Sequence, residues 1–431
     1  MNPEEIRRIA ESIADRLAGG GGVSANAPAP LATAAPSSSA DGIFANVDDA
    51  IKAARAGFIA LSALGLEQRK LIIESMRVEM RRQAEPLARM ANEETGLGRF
   101  EDKVQKNLLV TNKTPGTEDL SPIAHSGDDG FALIEPAPFG VIGAITPVTN
   151  PPSTIICNSI AMVAAGNAVT FNPAPGAKRV SAETIRCLNR AIVAAGGPAN
   201  VLTAVAEPTI ESATALMKHP LTRLIVVTGG PGVVQAAMNS GKRAICGGPG
   251  NPPAVVDPTA DIDKAGRDIV LGHSFDNNVI CVDEKEVICV DSVADSLKAA
   301  MKRNGAVELK ATDIPRLEKV IFEKNAGPRG HAVVNRKFVG KNASLILQEL
   351  GIPGGPEVRC ILIDVPNDHP LVWTEQMMPV LPLTRVRTVD EVARRRIQTM
   401  LSGRAAGIAG ALMREQASDG IFIEGGGTSA D

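Results

Sequence analysis

The stretch GVIGAITPVTNPPSTIICNSIAMVAAGNAVTF, residues 140–171, contains two β-rich runs separated by a helical segment. The runs occupy 140–146 and 168–171, and two similar runs follow at 201–205 and 224–227. Short apolar strands that alternate with helices are typical of parallel βαβ units. The sequence therefore predicts an α/β fold with a doubly wound sheet.

The chain before this region has a helical pattern. From residue 41 to about 113, apolar residues recur at three- and four-residue spacing, which favours amphipathic helices. The candidate breakers within this pattern are Gly57, Gly65, Pro86 and Gly96. We therefore expect a helical region ahead of the sheet.

The first 40 residues combine a predicted helix with a flexible linker. Residues 2–18 place their isoleucines and a leucine on one apolar stripe, and residues 19–40 are uncharged and rich in Gly, Ala, Pro and Ser. A helix this short is marginal in water, so its stripe needs a partner surface. Docking on the chain's own globular part, or fraying, is an equally open interpretation.

Charge and cysteine content exclude several classes of function. The 45 basic and 48 acidic residues give a net charge of -3, which offers no electrostatic basis for binding nucleic acid or a membrane surface. No apolar run reaches the roughly 20 residues of a membrane helix. The six cysteines form no CxxC pair, as expected for reduced thiols in a bacterial cytosol, and no metal site is predicted.

A single cysteine is the strongest candidate for chemistry. Cys281 ends the polar stretch GHSFDNNVIC, residues 272–281, and precedes the strand-like run 287–290. A cysteine at a junction between loop and strand is expected to be partly exposed, as a thiolate nucleophile must be. The other cysteines among apolar neighbours are expected to be buried and inert, namely Cys157, Cys187, Cys289 and Cys360.

Three further motifs, read together with Cys281, carry a family resemblance. They are ITPVTNP at 145–151, VTGGPG at 227–232 and TEQMMP at 374–379. In order and spacing these segments resemble the aldehyde dehydrogenase superfamily. The surrounding sequence, including KTPGTEDL at 113–120 and GGPGNPPAVVD at 247–257, is similar to the CoA-acylating acetaldehyde and propionaldehyde dehydrogenases of that superfamily. The resemblance covers about residues 41–392.

The resemblance implies a reaction at Cys281. The thiolate would attack a short aliphatic aldehyde, propionaldehyde or acetaldehyde, and the oxyanion so formed needs preorganised donors. The Cys281 backbone N–H and the Asn150 side chain are the candidates. Asn150 lies one residue later than the asparagine of hydrolytic relatives, and a turn asparagine beside two prolines is the alternative interpretation.

The resemblance also implies an NAD site. Glu375 corresponds to the glutamate that binds the nicotinamide ribose, although a surface glutamate is the plain alternative. Asn172 replaces a lysine that contacts the adenine ribose in hydrolytic relatives, which favours NAD over NADP. The glycine-rich turn after the run 224–227 would direct N–H groups to the pyrophosphate. The full set of expected cofactor-binding residues is Thr146, Pro147, Asn172, Thr228, Gly229, Gly230, Gly248 and Glu375.

One absent residue indicates the fate of the acyl group. Hydrolytic relatives carry a glutamate two positions before the paired glycines, and this chain has Ile245 there. Without that base, hydrolysis of an acyl-Cys281 thioester is expected to be slow, whereas the CoA thiol needs less activation. The resemblance therefore implies an acyl-CoA product, with coenzyme A as co-substrate.

The domain prediction follows the same resemblance. Residues 41–247 are expected to form a Rossmann-type NAD-binding domain, with 109–133 as an oligomerisation arm of a homodimer or homotetramer. Residues 248–392 are expected to form an α/β catalytic domain, and 393–431 an atypical tail without a family counterpart. The helix 2–18 resembles an encapsulation peptide, which implies a shell-protein partner and a place in a bacterial microcompartment lumen.

Two alternatives remain at this stage. The first alternative to a CoA-acylating enzyme is a catalytically impaired cargo protein of the same compartment, disrupted by the atypical tail. A phosphorylating or hydrolytic semialdehyde dehydrogenase would also use Cys281, and Ile245 argues against the hydrolytic form.

Overall fold

The computed structural model describes residues 41–388 and 390–391. The predicted helix 2–18, the linker 19–40 and the tail 393–431 lie outside these residues.

The strands belong to two larger parallel sheets and two short antiparallel ribbons. In chain order they are β1 (Ile43–Phe44), β2 (Ile123–Gly127), β3 (Gly130–Ile134), β4 (Val141–Thr146), β5 (Ala168–Pro173), β6 (Leu202–Val205), β7 (Thr222–Thr228), β8 (Ala244–Gly247), β9 (Pro253–Val256), β10 (Glu286–Val290), β11 (Ala306–Glu308), β12 (Phe322–Lys324), β13 (Val333–Val334), β14 (Cys360–Asp364) and β15 (Val380–Val386). The predicted strands correspond to β4, β5, β6, β7 and β10, and are confirmed.

The α-helices connect and cover these strands. They are α1 (Val47–Ser62), α2 (Leu66–Thr95), α3 (Phe100–Lys113), α4 (Pro151–Ala164), α5 (Lys178–Ala194), α6 (Ile210–Lys218), α7 (Pro231–Met238), α8 (Ile262–Ser274), α9 (Asp291–Arg303), α10 (Ile314–Ile321), α11 (Ala343–Glu349) and α12 (Pro370–Trp373). None of the helices in the described part is both long and apolar enough to cross a membrane.

The helical region 41–113 contains fewer breaks than its composition suggests. Pro86 lies inside α2, and Gly57 lies inside α1. A Cβ on Gly57 would come within 2.8 Å of the carbonyl oxygen of Asn200, so this glycine permits close packing of the helix on a neighbouring loop. Gly65 and Gly96 do act as helix boundaries, and Gly96 ends α2 with a φ of 63°, a backbone conformation that glycine adopts readily.

The first sheet has the order β1-β6-β5-β4-β7-β8, and all its neighbouring strands are parallel. From β4 the chain moves to one side through β5 and β6, and then returns to the other side through β7 and β8. The carboxyl end of β4 is therefore a topological switch point, where open α/β sheets bind ligands. The core of this layer is formed by buried apolar residues such as Met76, Ile156, Phe171 and Ile185.

The second sheet has the order β11-β14-β15-β10-β9 and is also parallel. Its three inner strands β14, β15 and β10 are almost wholly buried, and α8 and α9 pack against each other beside it. The strand β10 begins five residues after Cys281. The sheet thereby supports the loop that carries the candidate nucleophile.

The antiparallel hairpin of β2 and β3 is exposed along both strands. Its apolar side chains include Ile123, Phe131, Leu133 and Ile134, each more than half exposed. The hairpin overlaps the predicted oligomerisation arm 109–133, and that role stays a prediction.

Candidate active site

The backbone ahead of Cys281 makes an unusual turn. Asp276, Asn277 and Asn278 follow α8 with φ angles of 49°, 55° and 63°. Three consecutive residues in the left-handed region are costly for L-amino acids, and short polar side chains tolerate it best. The two asparagine side chains are held in place: Asn277 Nδ2 donates to the carbonyl of Gly340 at 3.0 Å, and Asn278 Nδ2 donates to that of His273 at 2.8 Å.

A buried lysine holds the residues between this turn and the cysteine. Lys285 is 0% exposed, and its Nζ donates to Asn278 O at 2.9 Å, Asn278 Oδ1 at 2.7 Å and Ile280 O at 2.7 Å. Burial lowers the pKa of Lys285. Its three ammonium hydrogens have three acceptors, so the position of the backbone directly before Cys281 is set by one side chain.

Cys281 itself is partly exposed, as the sequence predicted, and two other motifs meet it. A Cβ on Gly250 would overlap the Cys281 carbonyl oxygen and lie 3.5 Å from the Cys281 Cβ, so only glycine fits there. The Gly250 N–H in turn faces Glu375, whose Oε1 lies 3.4 Å away. The motifs at 247–257 and 374–379 therefore converge on the cysteine.

The groups around Cys281 have opposite effects on the pKa of its thiol. Burial and then the negative charge of Glu375 raise the pKa of the Cys281 thiol, while the positive charge of Lys285 lowers it. Burial also raises the pKa of Glu375. At neutral pH the resting thiol is therefore mostly protonated, and loss of its proton must accompany attack on a carbonyl.

The remaining cysteines differ from the expectation at one position. Cys187, Cys289 and Cys360 are buried, and burial raises their pKa values to about 11, 11 and 12, which makes them poor nucleophiles. Cys157 was expected to be buried and is half-buried instead. It lies on the outer stripe of α4, one helical turn from the likewise half-buried Thr154.

Asn150 lies directly before α4 and does not cap that helix with its side chain. Its Oδ1 accepts a hydrogen bond from Lys106 Nζ at 2.6 Å, and its Nδ2 donates to Thr149 Oγ1 at 3.0 Å. Lys106 also forms an ion pair with Asp276, the first residue of the turn before Cys281. One lysine therefore joins Asn150, at the edge of the first sheet, to the loop of the nucleophile.

A second lysine completes this buried cluster. Lys103 Nζ lies 2.9 Å from Asp276 Oδ2, and Asp276 Oδ1 accepts the Arg99 N–H at 2.8 Å. Burial and the charge of Lys106 lower the pKa of Lys103 to about 8. Sequence reasoning missed both lysines, although their three-residue spacing on α3 places them on one helix face.

A buried carboxyl group follows the nucleophile. Asp283 is 6% exposed, and its Oδ2 has no hydrogen-bond partner in the described structure. Burial raises the pKa of Asp283 to about 8, so this carboxyl group is mostly protonated at pH 7 and is a poor base there. Ile245, at the position of the hydrolytic glutamate, is 55% exposed on β8 and has no group that accepts a proton.

The predicted cofactor residues lie along the carboxyl edge of the first sheet. Thr146 and Thr228 end the neighbouring strands β4 and β7, and Asn172 lies near the end of β5. Pro147 directly follows β4, and Gly248 directly follows β8. The structure thus brings these residues to the switch point, with Glu375 reaching the site from the second sheet.

Local details of this edge suit a phosphorylated ligand. The buried Oγ1 of Thr146 has no hydrogen-bond partner among the described residues. Gly229 and Gly230 precede α7, and a Cβ on Gly230 would meet no heavy atom within 4 Å. The space beside the start of α7 is therefore open at Gly230 and Gly232, and the first turn of a helix favours an anion.

Asn172 is less available than the sequence suggested. Its Oδ1 accepts the Ser212 hydroxyl at 2.5 Å, and its Nδ2 lies 3.5 Å from Thr209 O. Both ends of the carboxamide are therefore engaged by the first turn of α6.

Comparison with known proteins gives the family. The aldehyde dehydrogenase family matches residues 28–416, which extends beyond the predicted 41–392 at both ends. The chain therefore belongs to the aldehyde dehydrogenase family.

Individual relatives are CoA-acylating enzymes. The acetylating acetaldehyde dehydrogenase of Salmonella typhimurium is 47% identical over 351 residues, which cover 81% of this chain and 74% of the relative. A propionaldehyde dehydrogenase of Rhodopseudomonas palustris, solved with bound CoA and an acylated cysteine, is 45% identical with a TM-score of 0.79, covering 84% of this chain and 81% of that one.

A third relative comes from a microcompartment. It is a propionaldehyde dehydrogenase of the Clostridium phytofermentans fucose utilisation bacterial microcompartment, 43% identical with a TM-score of 0.78, covering 83% of this chain and 81% of that one. The predicted α/β aldehyde dehydrogenase fold and the predicted CoA-acylating class of enzyme are confirmed by these similarities.

Proposed function

We propose that this chain oxidises a short aliphatic aldehyde, propionaldehyde first and acetaldehyde second, to its CoA thioester with NAD as the oxidant. The observation that carries the proposal is the placement of the partly exposed Cys281 against Gly250 and Glu375, beside a sheet edge suited to a dinucleotide. The Rhodopseudomonas relative holds CoA and an acylated cysteine, which supports the same chemistry.

Cys281 would begin the reaction. Its thiol releases the proton to solvent, the thiolate sulfur bonds to the aldehyde carbon, and the C=O π electrons move to oxygen to give a thiohemiacetal oxyanion. The Cys281 N–H and the Nδ2 of Asn150 are the proposed donors to that oxyanion, each contributing on the order of 3 kcal/mol in comparable sites. Lys285 supports this step because it holds the carbonyl of Ile280 and so orients the peptide that follows.

The fit of the sheet edge to NAD rests on the orphaned Thr146 Oγ1 and the open N-terminus of α7. Thr146, Pro147, Gly229 and Gly230 would hold the phosphate and ribose portions, with Thr228 and Gly248 beside them. Glu375 would bind the nicotinamide ribose. When bound, the nicotinamide supplies the acceptor for the two electrons and the hydrogen that leave the thiohemiacetal carbon.

Transfer of the acyl group to CoA follows from what surrounds Cys281. Ile245 has no proton-accepting group, and Asp283 is mostly protonated at neutral pH. Activation of water is therefore weak, whereas the CoA thiol is intrinsically nucleophilic. Its attack on the acyl-Cys281 carbonyl releases acyl-CoA and returns the cysteine.

The proposed preference for NAD over NADP rests on Asn172, the residue expected to lie near the adenine ribose. Asn172 carries no positive charge, and its carboxamide is already engaged by Ser212. A 2′-phosphate would gain no ion pair from this position. We therefore expect a higher kcat/KM with NAD than with NADP.

Assembly belongs to the same proposal. The exposed β2–β3 hairpin supports a homodimer or homotetramer joined through the predicted arm, because its apolar side chains lack cover within the described chain. The microcompartment origin of the Clostridium relative supports residues 2–18 as a ligand for a shell protein, and the microcompartment lumen as the location.

The decisive experiment measures NADH formation from propionaldehyde with and without CoA, on this chain and on Cys281→Ala. CoA-dependent turnover that Cys281→Ala abolishes is the expected result. CoA-independent turnover would indicate a hydrolytic or, with added phosphate, a phosphorylating enzyme instead. A folded wild-type chain without any turnover would favour an impaired cargo protein.

A further inference from the structure

Lys106 makes a contact that no other lysine of the described chain makes. The residue is 5% exposed, and its Nζ donates to Asn150 Oδ1 at 2.6 Å and pairs with Asp276. Asn150 is the proposed side-chain donor to the oxyanion, and Asp276 opens the turn that leads to Cys281. Lys106 is therefore bonded both to a proposed donor and to the support of the nucleophile.

The ammonium group determines which way the Asn150 carboxamide faces. An ammonium group only donates hydrogen bonds, so the atom of Asn150 that faces it must be the carbonyl oxygen. The Nδ2 group is thereby directed away from Lys106, and one of its two hydrogens goes to Thr149 Oγ1. The second hydrogen is left for a ligand. A flipped carboxamide would instead present its oxygen, which would repel an oxyanion.

The neighbouring Asp276 carboxylate makes the orientation of the Asn150 carboxamide depend on Lys106. The Asp276 carboxylate and the Asn150 oxygen both accept hydrogen bonds from the one Lys106 nitrogen. If the ammonium group were removed, the carboxylate would attract the Nδ2 group and favour the flipped orientation. Neutral replacement of Lys106 therefore turns the wrong atom of Asn150 toward the reacting carbonyl.

We infer that Lys106 is a positioning residue for the oxyanion site, which it serves by holding the Asn150 carboxamide with its N–H group toward the substrate. The inference rests on the proposed function, since it takes Asn150 as the donor. Lys106 does not touch the substrate in this arrangement and acts through Asn150 alone.

The chain supplies a matched control in Lys103. Lys103 is similarly buried on the same helix and bonds the same Asp276 oxygen, but in the described structure it forms no hydrogen bond with Asn150. Either Lys106→Met or Lys103→Met leaves one lysine paired with Asp276, so the two variants lose the same buried charge. Their comparison separates the contact with Asn150 from the general stability of the cluster.

The test is the single-turnover rate of NADH formation from propionaldehyde, measured by stopped-flow absorbance for both variants and for Asn150→Ala. We expect Lys106→Met to slow this step by about 100-fold, the loss typical of one oxyanion donor. Lys103→Met should slow it far less. In the Asn150→Ala background, Lys106→Met should cause almost no further loss, because the group that it positions is gone.

The results that would overturn the role of Lys106 differ from those that would overturn the donor role of Asn150. Equal losses in Lys106→Met and Lys103→Met, or a full additional loss in the Asn150→Ala background, would overturn the inference. An unchanged rate in Asn150→Ala itself would instead remove the donor role from the proposed function. If Lys106→Met does not fold, the same double-mutant cycle with Lys106→Gln replaces it, and additive losses there would equally contradict the inference.

Discussion

The ammonium group of Lys285 lies 2.7 Å from the carbonyl oxygen of Ile280, the residue directly before Cys281. The same nitrogen also bonds two oxygens of Asn278. A residue four positions after the cysteine thus holds the backbone that precedes it, and the nucleophile lies inside this loop.

Replacement of Lys285 should disrupt the nucleophile loop. Lys285→Met leaves buried carbonyl oxygens without donors, and we expect the free energy of unfolding to fall by about 3 kcal/mol. Because the positive charge of Lys285 lowers the pKa of Cys281, alkylation of Cys281 at pH 8 should also slow. Urea denaturation and peptide mass spectrometry measure the two effects. The exposed Lys70→Met serves as control, and equal behaviour of both variants would refute the role of Lys285.

The reactivity of Cys281 should rise with pH. Its thiol pKa is raised above the ordinary 9.0, so the thiolate fraction should increase about tenfold per unit between pH 7 and 9. Since the charge of Glu375 contributes to the raised pKa, Glu375→Gln should move the alkylation profile of Cys281 to lower pH. The exposed Glu323→Gln should leave it unchanged. A profile of Glu375→Gln that moves to higher pH would contradict this account.

Gly250 should not tolerate a side chain. In Gly250→Ala the new methyl group overlaps the Cys281 carbonyl oxygen, which must shift the nucleophile or the loop opposite it. We expect a loss of more than about tenfold in the rate of NADH formation, because small displacements of reacting groups are costly. At Gly65 a Cβ meets no atom within 4 Å, so Gly65→Ala is the control. If Gly250→Ala turned over at the wild-type rate, the contact between residue 250 and the Cys281 carbonyl would not constrain the nucleophile.

The buried His273 should make stability depend on pH. Burial lowers its pKa from 6.5 to about 3, while its Nδ1 bonds the Glu284 carbonyl at 2.6 Å. Below pH 6.5 the unfolded chain binds the proton first, so stability present above that pH is lost as the pH falls toward 3. The slope from this residue is up to about 1.4 kcal/mol per pH unit.

Measurement of urea unfolding between pH 7 and pH 5 tests this effect. His273→Gln should lose less stability over that range than the wild type, whereas the exposed His331→Gln should follow the wild type. Identical pH dependence in all three proteins would mean that His273 is not protonated on unfolding.

Several features were predictable because they are encoded locally. The alternation of short apolar runs with helical segments indicates the strands β4, β5, β6 and β7, since each strand must bury both faces. The glycine-rich turn at Thr228–Gly230 follows from the strand before it and the helix after it. Cys281 was identified because a polar stretch precedes it in the sequence and an apolar strand follows it.

Other features could not be seen in the order of residues. Pro86 suggests a break, yet α2 continues through it because packing of the long helix outweighs one missing hydrogen bond. Cys157 has apolar neighbours in sequence, but the rotation of α4 places it on the outer face. Asn172 was expected to be available to a cofactor, whereas Ser212 from α6 already bonds it.

The sequence by itself determined the α/β class, the nucleophile and the family, because strand and helix periodicity and a motif with fixed spacing are properties of neighbouring residues. Only the tertiary structure decided which groups surround Cys281. Lys106 meets Asn150 across 44 positions and Asp276 across 170, and Gly250 meets Glu375 across 125. Such contacts depend on how α3 and the two sheets pack together, and no local pattern records that packing.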